Sequence, residues 1–333
     1  MKAVRLHAKG DLRVEDIATP QAPPPGWVRI AVNAAGICGS DLHNFSTGQW
    51  ITRAPSVAGH EFMGTVTALG AQVEGLAIGD RVVADSRFWC GICPACLGEC
   101  QHLCATLGFV GEACDGGFAE YTMLPQRLAH KLPDELPDDI AAMAEPFAVA
   151  LHAVNRLGLG SNERILIAGC GPIGGLAALV LSELGHEDVH VADLNAKRLA
   201  RVCEVTGAKP ASLENLAGNA IAAAIEATGN IQALRAVLAG VAGGARIALV
   251  GIAHRSLDLD PNHLVEREIS LIGCHAFRDE LPAAIAMLNA CAPRAAKLID
   301  RHITLDDVPE AYRRLIAGEA EGLKTIIRIR NNS

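Results

Sequence analysis

Aromatic residues are scarce in this chain: Phe 7, Trp 3 and Tyr 2 make up 4% of the 333 residues. Proteins that bind single-stranded nucleic acid stack bases on aromatic rings and neutralise phosphates with Lys and Arg. Here 29 basic residues stand against 37 acidic ones, for a net charge of −8. The composition therefore excludes nucleic acid as an expected partner.

Long apolar runs are also lacking. The one extended uncharged stretch, 165–182, contains glycines and a proline in a turn pattern, so it predicts no membrane span. The amino-terminal segment 1–16 carries charges throughout and has no apolar core of a secretory signal. We therefore expect a cytoplasmic protein whose 11 cysteines stay reduced.

The hydrophobic pattern divides the chain into parts that predict different secondary structure. Between 28 and 83, short alternating runs separated by Gly and Pro predict strands. From 163 onward, apolar runs alternate with helical patterns, which predicts a parallel sheet flanked by helices over roughly 150–278. The tail from 280 returns to helix and short strand. The fold class is α/β, with boundaries placed at 1–148, 149–279 and 280–333.

Cysteines concentrate between 90 and 104. Cys90, Cys93, Cys96 and Cys104 are separated by two, two and seven residues, and Cys100 is surplus to that set. Four thiolates complete a closed tetrahedral shell, which is typical of a structural zinc site. Free or disulfide-bonded thiols and an iron–sulfur cluster are the alternatives.

A second group of candidate metal ligands is spread over three segments. Cys38, His60, Glu61 and Glu145 supply a thiolate, an imidazole and carboxylates. One ligand of each kind leaves a coordination position open for water or an alcohol, whose pKa the cation lowers. Considered alone, Cys38 could equally be a buried thiol of the core, and His60 could be a histidine in a turn that binds no metal.

A GxGxxG pattern follows the apolar run 165–168 and precedes a helical pattern. Such a turn lets a dinucleotide pyrophosphate approach the positive end of a helix. Asp193, at the end of the next predicted strand, is placed to bind the ribose hydroxyls and predicts NAD over NADP. The alternative is a glycine turn that holds no ligand. The turn residues are Gly169, Gly171, Pro172, Ile173 and Gly174.

Together the motifs resemble the zinc-dependent medium-chain alcohol dehydrogenase family, and within it the polyol branch of sorbitol, xylitol and L-idonate dehydrogenases. The resemblance spans nearly the whole chain. It implies a GroES-like, β-rich catalytic domain, a Rossmann cofactor domain and a carboxyl-terminal segment that returns to the catalytic domain. The segments that carry it are GICGSDLH, GHEFMG, the four-cysteine lobe, DGGFAEY, AEPFAVALHA, GCGPIG and EREISLIG.

The resemblance also implies roles for individual residues. It makes Cys38, His60 and Glu61 ligands of a catalytic zinc, with Glu145 as a further ligand or a neighbour through water. It assigns the proton route to Ser40 and His43, and it assigns Asp41 to orienting the ligand histidine. It places Arg198 near the adenosine ribose and the backbone of Val250, Gly251 and Ile252 beside the nicotinamide. Two zinc ions per chain and NAD are the implied cofactors.

One departure from the polyol pattern concerns substrate choice. Ala276 stands where polyol relatives have an arginine, and Arg278 lies two positions later. His275 either hydrogen-bonds a substrate hydroxyl or packs.

The expected function is NAD-dependent oxidation of a secondary hydroxyl of a polyol or sugar acid, in a homodimer or homotetramer. A vicinal diol or an amino-alcohol is the alternative substrate, as in butanediol and threonine dehydrogenases. A zinc-less reductase and a non-enzymatic NAD-binding protein are alternatives from other classes.

Overall fold

The amino-terminal half of the chain folds mainly into strands. The structure is a computed structural model that describes residues 1–216, 218 and 220–330. Its first strands are β1 (Lys2–Ala8), β2 (Asp11–Asp16), β3 (Trp27–Gly36), β4 (Ser56–Val57), β5 (Glu61–Leu69), β6 (Arg81–Ala84), β7 (Arg87–Phe88), β8 (Gly108–Phe109), β9 (Tyr121–Pro125) and β10 (Ala129–Lys131). Short helices lie between them at α1 (Gly39–Thr47), α2 (Pro94–Leu97) and α3 (Asp138–Ala141), with 3-10 turns at Gln101–Leu103 and Gln126–Leu128.

From residue 144, helices and strands alternate. They are α4 (Ala144–Leu157), β11 (Ile165–Ala168), α5 (Pro172–Glu183), β12 (Val189–Ala192), α6 (Ala196–Thr206), β13 (Lys209–Pro210), β14 (Ile221–Glu226), α7 (Ile231–Gly240), β15 (Val241–Leu249), α8 (Pro261–Val265) and β16 (Ser270–Gly273). The tail adds α9 (Leu281–Ala290), α10 (Ala292–Ala296), β17 (Ile299–Ile303), α11 (Val308–Ile316) and β18 (Lys324–Arg328), with 3-10 turns at Leu213–Asn215 and Leu305–Asp307.

A parallel sheet forms in the order β13-β12-β11-β14-β15-β16, as the alternating pattern predicts. All four residues of β11 are buried, as expected for a central strand covered by helices on both faces. Helix α6 begins where the Asn195 side chain accepts from two backbone amides, and it ends at Gly207 in the left-handed conformation. The carboxyl ends of these strands form one edge, which is the ligand-binding edge of such sheets.

The second large sheet combines both ends of the chain. Its order is β10-β6-β5-β3-β18-β17, with β9 also pairing with β3. Strand β18 runs antiparallel to β3, with Ile326 opposite Gly36. The carboxyl-terminal segment therefore lies against the strands that lead into the first candidate metal-binding segment. Smaller sheets pair β2-β1-β4 and β7-β8.

Helix α4 lies between the two large sheets. Most of its residues are buried, and it contacts α5, α9 and β15 on one side and β5 and β6 on the other. Its first turn therefore reaches the amino-terminal domain while the rest of it packs on the parallel-sheet domain. Within the described part of the chain, the helices are too short or too polar to cross a membrane.

Candidate active site

The first candidate ligand lies at the turn from β3 into α1. Cys38 is the residue before the helix, and its backbone amide donates to Asp41 Oδ2 at 2.9 Å. Asp41 Oδ1 also lies 3.4 Å from His60 Nδ1. Asp41 thus contacts the imidazole, as the resemblance to the family implies, and it also binds the backbone at the helix start, which was not predicted.

His60 and Glu61 lie at the start of β5. Gly59 precedes them with φ +91°, and a Cβ there would lie 2.3 Å from the Phe118 ring, so the turn requires glycine. The Sγ of Cys38, a ring nitrogen of His60 and a carboxylate oxygen of Glu61 all lie within 4.8 Å of one another. Three donor atoms therefore converge on one point, which is the number of protein ligands that a catalytic zinc site uses.

The charges around this point favour a cation. Burial lowers the pKa of His60, but the negative charges of Asp41 and Cys38 outweigh it and raise that pKa well above its usual value. Glu61 is fully buried, and its Oε1 has no hydrogen-bond partner among the described residues. A buried carboxylate oxygen without a partner is costly, and a bound zinc ion would satisfy it.

Glu61 has one partner of opposite charge, which the sequence did not suggest. Lys324 Nζ, at the start of β18, forms an ion pair with Glu61 Oε2, and the lysine is only 2% exposed. Burial lowers the pKa of Lys324, but Glu61 and Cys38 outweigh this and raise it, so the ammonium stays charged. Gly36 makes room for the pair, because a Cβ there would lie 2.5 Å from Glu61 Oε2.

Glu145 lies in the first turn of α4, close enough to this site for the charges of His60 and Glu61 to act on its carboxyl group. Its Oε1 accepts from Ser86 Oγ at 2.6 Å, and both side chains are buried. Burial raises the pKa of Glu145 to about 7, and the charge of Glu61 adds to the effect. The three-residue donor group comprises Cys38, His60 and Glu61, and Glu145 lies outside it.

The four-cysteine lobe has the geometry of a tetrahedral zinc site. Its sulfur atoms are 3.5 Å apart for Cys93 and Cys96, 3.6 Å for Cys90 and Cys104, and 4.0 Å for Cys90 and Cys96. Tetrahedral zinc with bonds of ~2.3 Å places its sulfurs about 3.8 Å apart. The Cys90 amide donates to the Cys104 sulfur and lowers the pKa of that thiol to about 6. Cys100 lies outside the group.

The glycine turn after β11 has the predicted local geometry. Gly169 has φ +100°, and a Cβ on Gly174 would lie 1.8 Å from the Gly169 carbonyl oxygen. Helix α5 starts immediately afterwards at Pro172. Asp193 follows β12, and its oxygens accept from the backbone amides of Cys170 and Asn195, each at 2.6 Å. The carboxylate is thereby fixed beside the turn at which a pyrophosphate binds.

The other predicted cofactor residues lie on neighbouring elements. Arg198 is on α6, and its Nε is buried without a hydrogen-bond partner among the described residues. Segment 250–252 follows β15, where the amides of Val250 and Gly251 both donate to the Glu226 carbonyl at 3.0 Å. Ile252 is half exposed. These positions lie at the carboxyl edge of the parallel sheet.

The two predicted proton-route residues lie in different surroundings. Ser40 Oγ is 3.5 Å from His60 Nε2. His43 Nε2 lies 2.9 Å from Gln49 Oε1, and its ring stacks on His254 with centroids 4.5 Å apart. Both histidines line a cleft of about 840 Å³ between α1 and the loop after β15. Ser40 is therefore next to the donor group, and His43 is at the opening.

Three functional candidates escaped the sequence reasoning: Lys324, Ser86 and His254. Each contacts a predicted site residue that is distant in sequence. No local signal marks Lys324, because β18 reads KTIIR and carries a charged residue at both ends. Sequence spacing gives no signal for Ser86 or His254 either.

Comparison with known proteins identifies the family of this chain. The Alcohol dehydrogenase GroES-like domain matches residues 24–134, and the Zinc-binding dehydrogenase family matches residues 172–290. (R,R)-butanediol dehydrogenase of Bacillus subtilis strain 168 is 32% identical over 98% of this chain and 99% of its own. L-threonine 3-dehydrogenase of Deinococcus deserti is 32% identical over 96% of this chain and 97% of its own.

A solved structure shows the same fold with a cofactor bound. An alcohol dehydrogenase (rspB) of Escherichia coli CFT073 in complex with NADH superposes with a TM-score of 0.91, at 29% identity over 99% of both chains. The predicted fold class is thus confirmed, while the assignment to the polyol branch stays a prediction. The chain belongs to the zinc-dependent medium-chain alcohol dehydrogenase family and is an NAD-dependent oxidoreductase.

Proposed function

We propose that this enzyme reversibly oxidises a secondary hydroxyl of a neutral vicinal diol or polyol to the ketone. The observation that carries the proposal is the convergence of Cys38, His60 and Glu61, with Ser40 beside them. Zinc held by these residues would lower the pKa of a substrate hydroxyl, and NAD would accept the hydride. In this proposal Ser40 takes up the hydroxyl proton as it releases its own, and His43 at the cleft passes a proton on to solvent.

A neutral substrate is favoured because the buried cations Lys324 and Arg87 already have partners. The Lys324 ammonium pairs with Glu61. The Arg87 guanidinium is bound by the Asp85 carboxylate and by backbone carbonyls of 277 and 278. Arg278 donates its Nε to the Glu99 carbonyl at 3.2 Å, and Ala276 offers no charge. A substrate carboxylate would therefore find weak compensation here.

An amino-alcohol such as threonine is the second candidate, and Glu112 is the observation that favours it. This half-buried carboxyl lies close enough to His60 and Asp41 for their charges to act on it. In this second candidate the Glu112 carboxylate pairs with the ammonium group of the substrate. The threonine dehydrogenases among the relatives are consistent with this reading.

A substrate panel tests the proposal. Zinc-loaded enzyme is assayed for NAD reduction with butane-2,3-diol, xylitol, sorbitol, gluconate and threonine, and kcat/KM is compared. We expect the diol or a polyol to exceed gluconate by at least tenfold. A preference for gluconate would contradict the charge argument, and a preference for threonine would support the second candidate.

A further inference from the structure

We infer that His275 accepts a hydrogen bond from a second hydroxyl of the substrate, and that the four-cysteine lobe holds it in the orientation for doing so. The inference rests on the proposed function, because it concerns selectivity at the same site. It adds a residue that distinguishes a diol from a simple alcohol.

His275 lies where the substrate side of the cleft is expected. Strand β16 ends at Gly273 and pairs in parallel with β15, so His275 follows the carboxyl edge of the sheet. Its ring meets Phe109 edge to face, with centroids 5.9 Å apart. The Phe109 ring lies 6.5 Å from the ring of His60. Phe109 therefore connects His275 to the metal-binding group.

The hydrogen bond of His275 determines which ring nitrogen can accept. Its Nδ1 lies 3.0 Å from the backbone carbonyl oxygen of His102. Because a carbonyl only accepts, Nδ1 carries the hydrogen, and Nε2 of the neutral ring presents a lone pair. An acceptor binds a hydroxyl but offers nothing to a carboxylate or an alkyl group.

The four-cysteine lobe supplies the groups that fix this segment. His102 lies in the 3-10 turn Gln101–Leu103, and this turn directly precedes the ligand Cys104. One turn earlier, the Glu99 carbonyl accepts from Arg278 Nε at 3.2 Å. Two carbonyls of the lobe therefore bind side chains on both sides of position 276. The fold of the lobe positions His275.

The opposite side of the segment is fixed by Arg87. Its Nη1 donates to the carbonyl oxygens of Phe277 and Arg278, each at 2.6 Å, and its guanidinium lies 4.0 Å from the Phe277 ring centroid. Ala276, between His275 and Phe277, has φ +51°, a left-handed conformation that a non-glycine residue adopts only when its surroundings impose it. The backbone beside His275 is thus held from two sides.

Selectivity between matched substrates tests the inference. His275→Phe keeps an aromatic ring against Phe109 but removes the acceptor. We expect kcat/KM for butane-2,3-diol to fall about tenfold, mainly through KM, with butan-2-ol changed less than about twofold. His275→Gln keeps an acceptor oxygen and should recover part of the loss. His186→Phe, in the turn after α5, is the matched control.

Arg278→Gln tests the positioning by the lobe. We expect a smaller loss of diol preference with an unchanged zinc content, since the variant breaks the bond to Glu99 and leaves the cysteines intact. Equal effects of His275→Phe on the diol and the monoalcohol, or no effect on either, would overturn the inference. Failure of the unmodified enzyme to oxidise any alcohol would instead overturn the proposed function.

Discussion

Lys324 forms a buried ion pair with Glu61, which is itself one of the candidate catalytic zinc ligands. The lysine offsets one of the two negative charges that Cys38 and Glu61 bring to the metal. With a divalent cation bound, the charges of the cation, Cys38, Glu61 and Lys324 sum to about +1 rather than zero. The ammonium therefore favours the negative charge that develops on an alcohol oxygen as its proton leaves.

Removing that ammonium should affect the metal-free protein most. Lys324→Met leaves the Glu61 carboxylate buried and uncompensated, which costs about 3–5 kcal/mol. Zinc supplies the missing positive charge, so the loss should shrink when zinc is bound. Denaturant unfolding with and without zinc measures this, with the exposed Lys297→Met as control. Equal losses in both states would contradict the role assigned to the pair.

Replacing Glu145 should separate catalysis from metal binding. Glu145 is held by Ser86 and lies outside the three-residue donor group. We expect Glu145→Gln to keep most of its zinc and to lose tenfold or more in kcat, about 1.4 kcal/mol. Metal analysis measures the zinc content and steady-state kinetics measure kcat. The exposed Glu187→Gln is the control. Complete loss of the exchangeable zinc would make Glu145 an obligatory ligand.

The four-cysteine lobe contains a fifth cysteine, Cys100, that serves as a control for the test of its zinc site. We expect about two zinc ions per chain, and Cys96→Ser should lose one of them together with thermal stability, because structural zinc contributes folding free energy. Cys100→Ser removes a thiol from the same segment but not from the tetrahedral group. It should keep full zinc content. Unchanged zinc and stability in Cys96→Ser would rule out the four-thiolate site.

Asp193 should determine the choice of cofactor. Its fixed carboxylate would face the extra phosphate of NADP, so we expect NAD to be preferred by at least tenfold, about 1.4 kcal/mol. Asp193→Ser should reduce that margin, whereas the exposed Asp258→Ser should leave it intact. NADH and NADPH titrations followed by fluorescence measure both affinities. Equal affinities in the unmodified enzyme would refute the assignment.

Glu280 should make stability depend on acid pH. Burial raises its pKa, but hydrogen bonds from His152 and the amide of Arg278 outweigh this and lower it to about 2. A carboxyl with a depressed folded pKa stabilises fully above its unfolded pKa of about 4.3, and the contribution disappears as pH falls towards 2.

The matching variant is Glu280→Gln. It should lower the free energy of unfolding by about 2 kcal/mol at neutral pH. That difference should stay constant between about pH 7 and 5 and narrow below about 4.3. Urea unfolding at these pH values checks it. A difference that grows on acidification would show that the hydrogen-bonded carboxylate is not its source.

The sequence predicts those features that depend on local spacing. The four cysteines, the glycine turn and the GICGSDLH and GHEFMG segments each form within a few residues, so their geometry follows from the pattern. The alternation after residue 163 also predicts the parallel sheet, because buried strands and amphipathic helices have distinct periods. The structure brings Cys38, His60 and Glu61 together, as the resemblance to the family implies, and leaves Glu145 outside that group.

Pairings between distant segments could not be derived in this way. Lys324 reaches Glu61 because β18 inserts beside β3, and the only advance sign is that Gly36 has no side chain to block the pair. Ser86 approaches Glu145 because α4 lies against the amino-terminal sheet. The contact of His275 with the lobe likewise depends on how the domains meet. Spacing within either segment carries no information about it.

The lobe holds segment 275–278 through main-chain oxygens, those of Glu99 and His102. Main-chain atoms are the same whichever amino acid occupies a position, so single replacements at 99 or 102 leave the holding groups in place. A change of loop length between Cys96 and Cys104 would move both oxygens at once. Substitutions at these two positions should therefore have little effect on the substrate. Insertions and deletions in this loop should instead accompany a change of substrate among related enzymes.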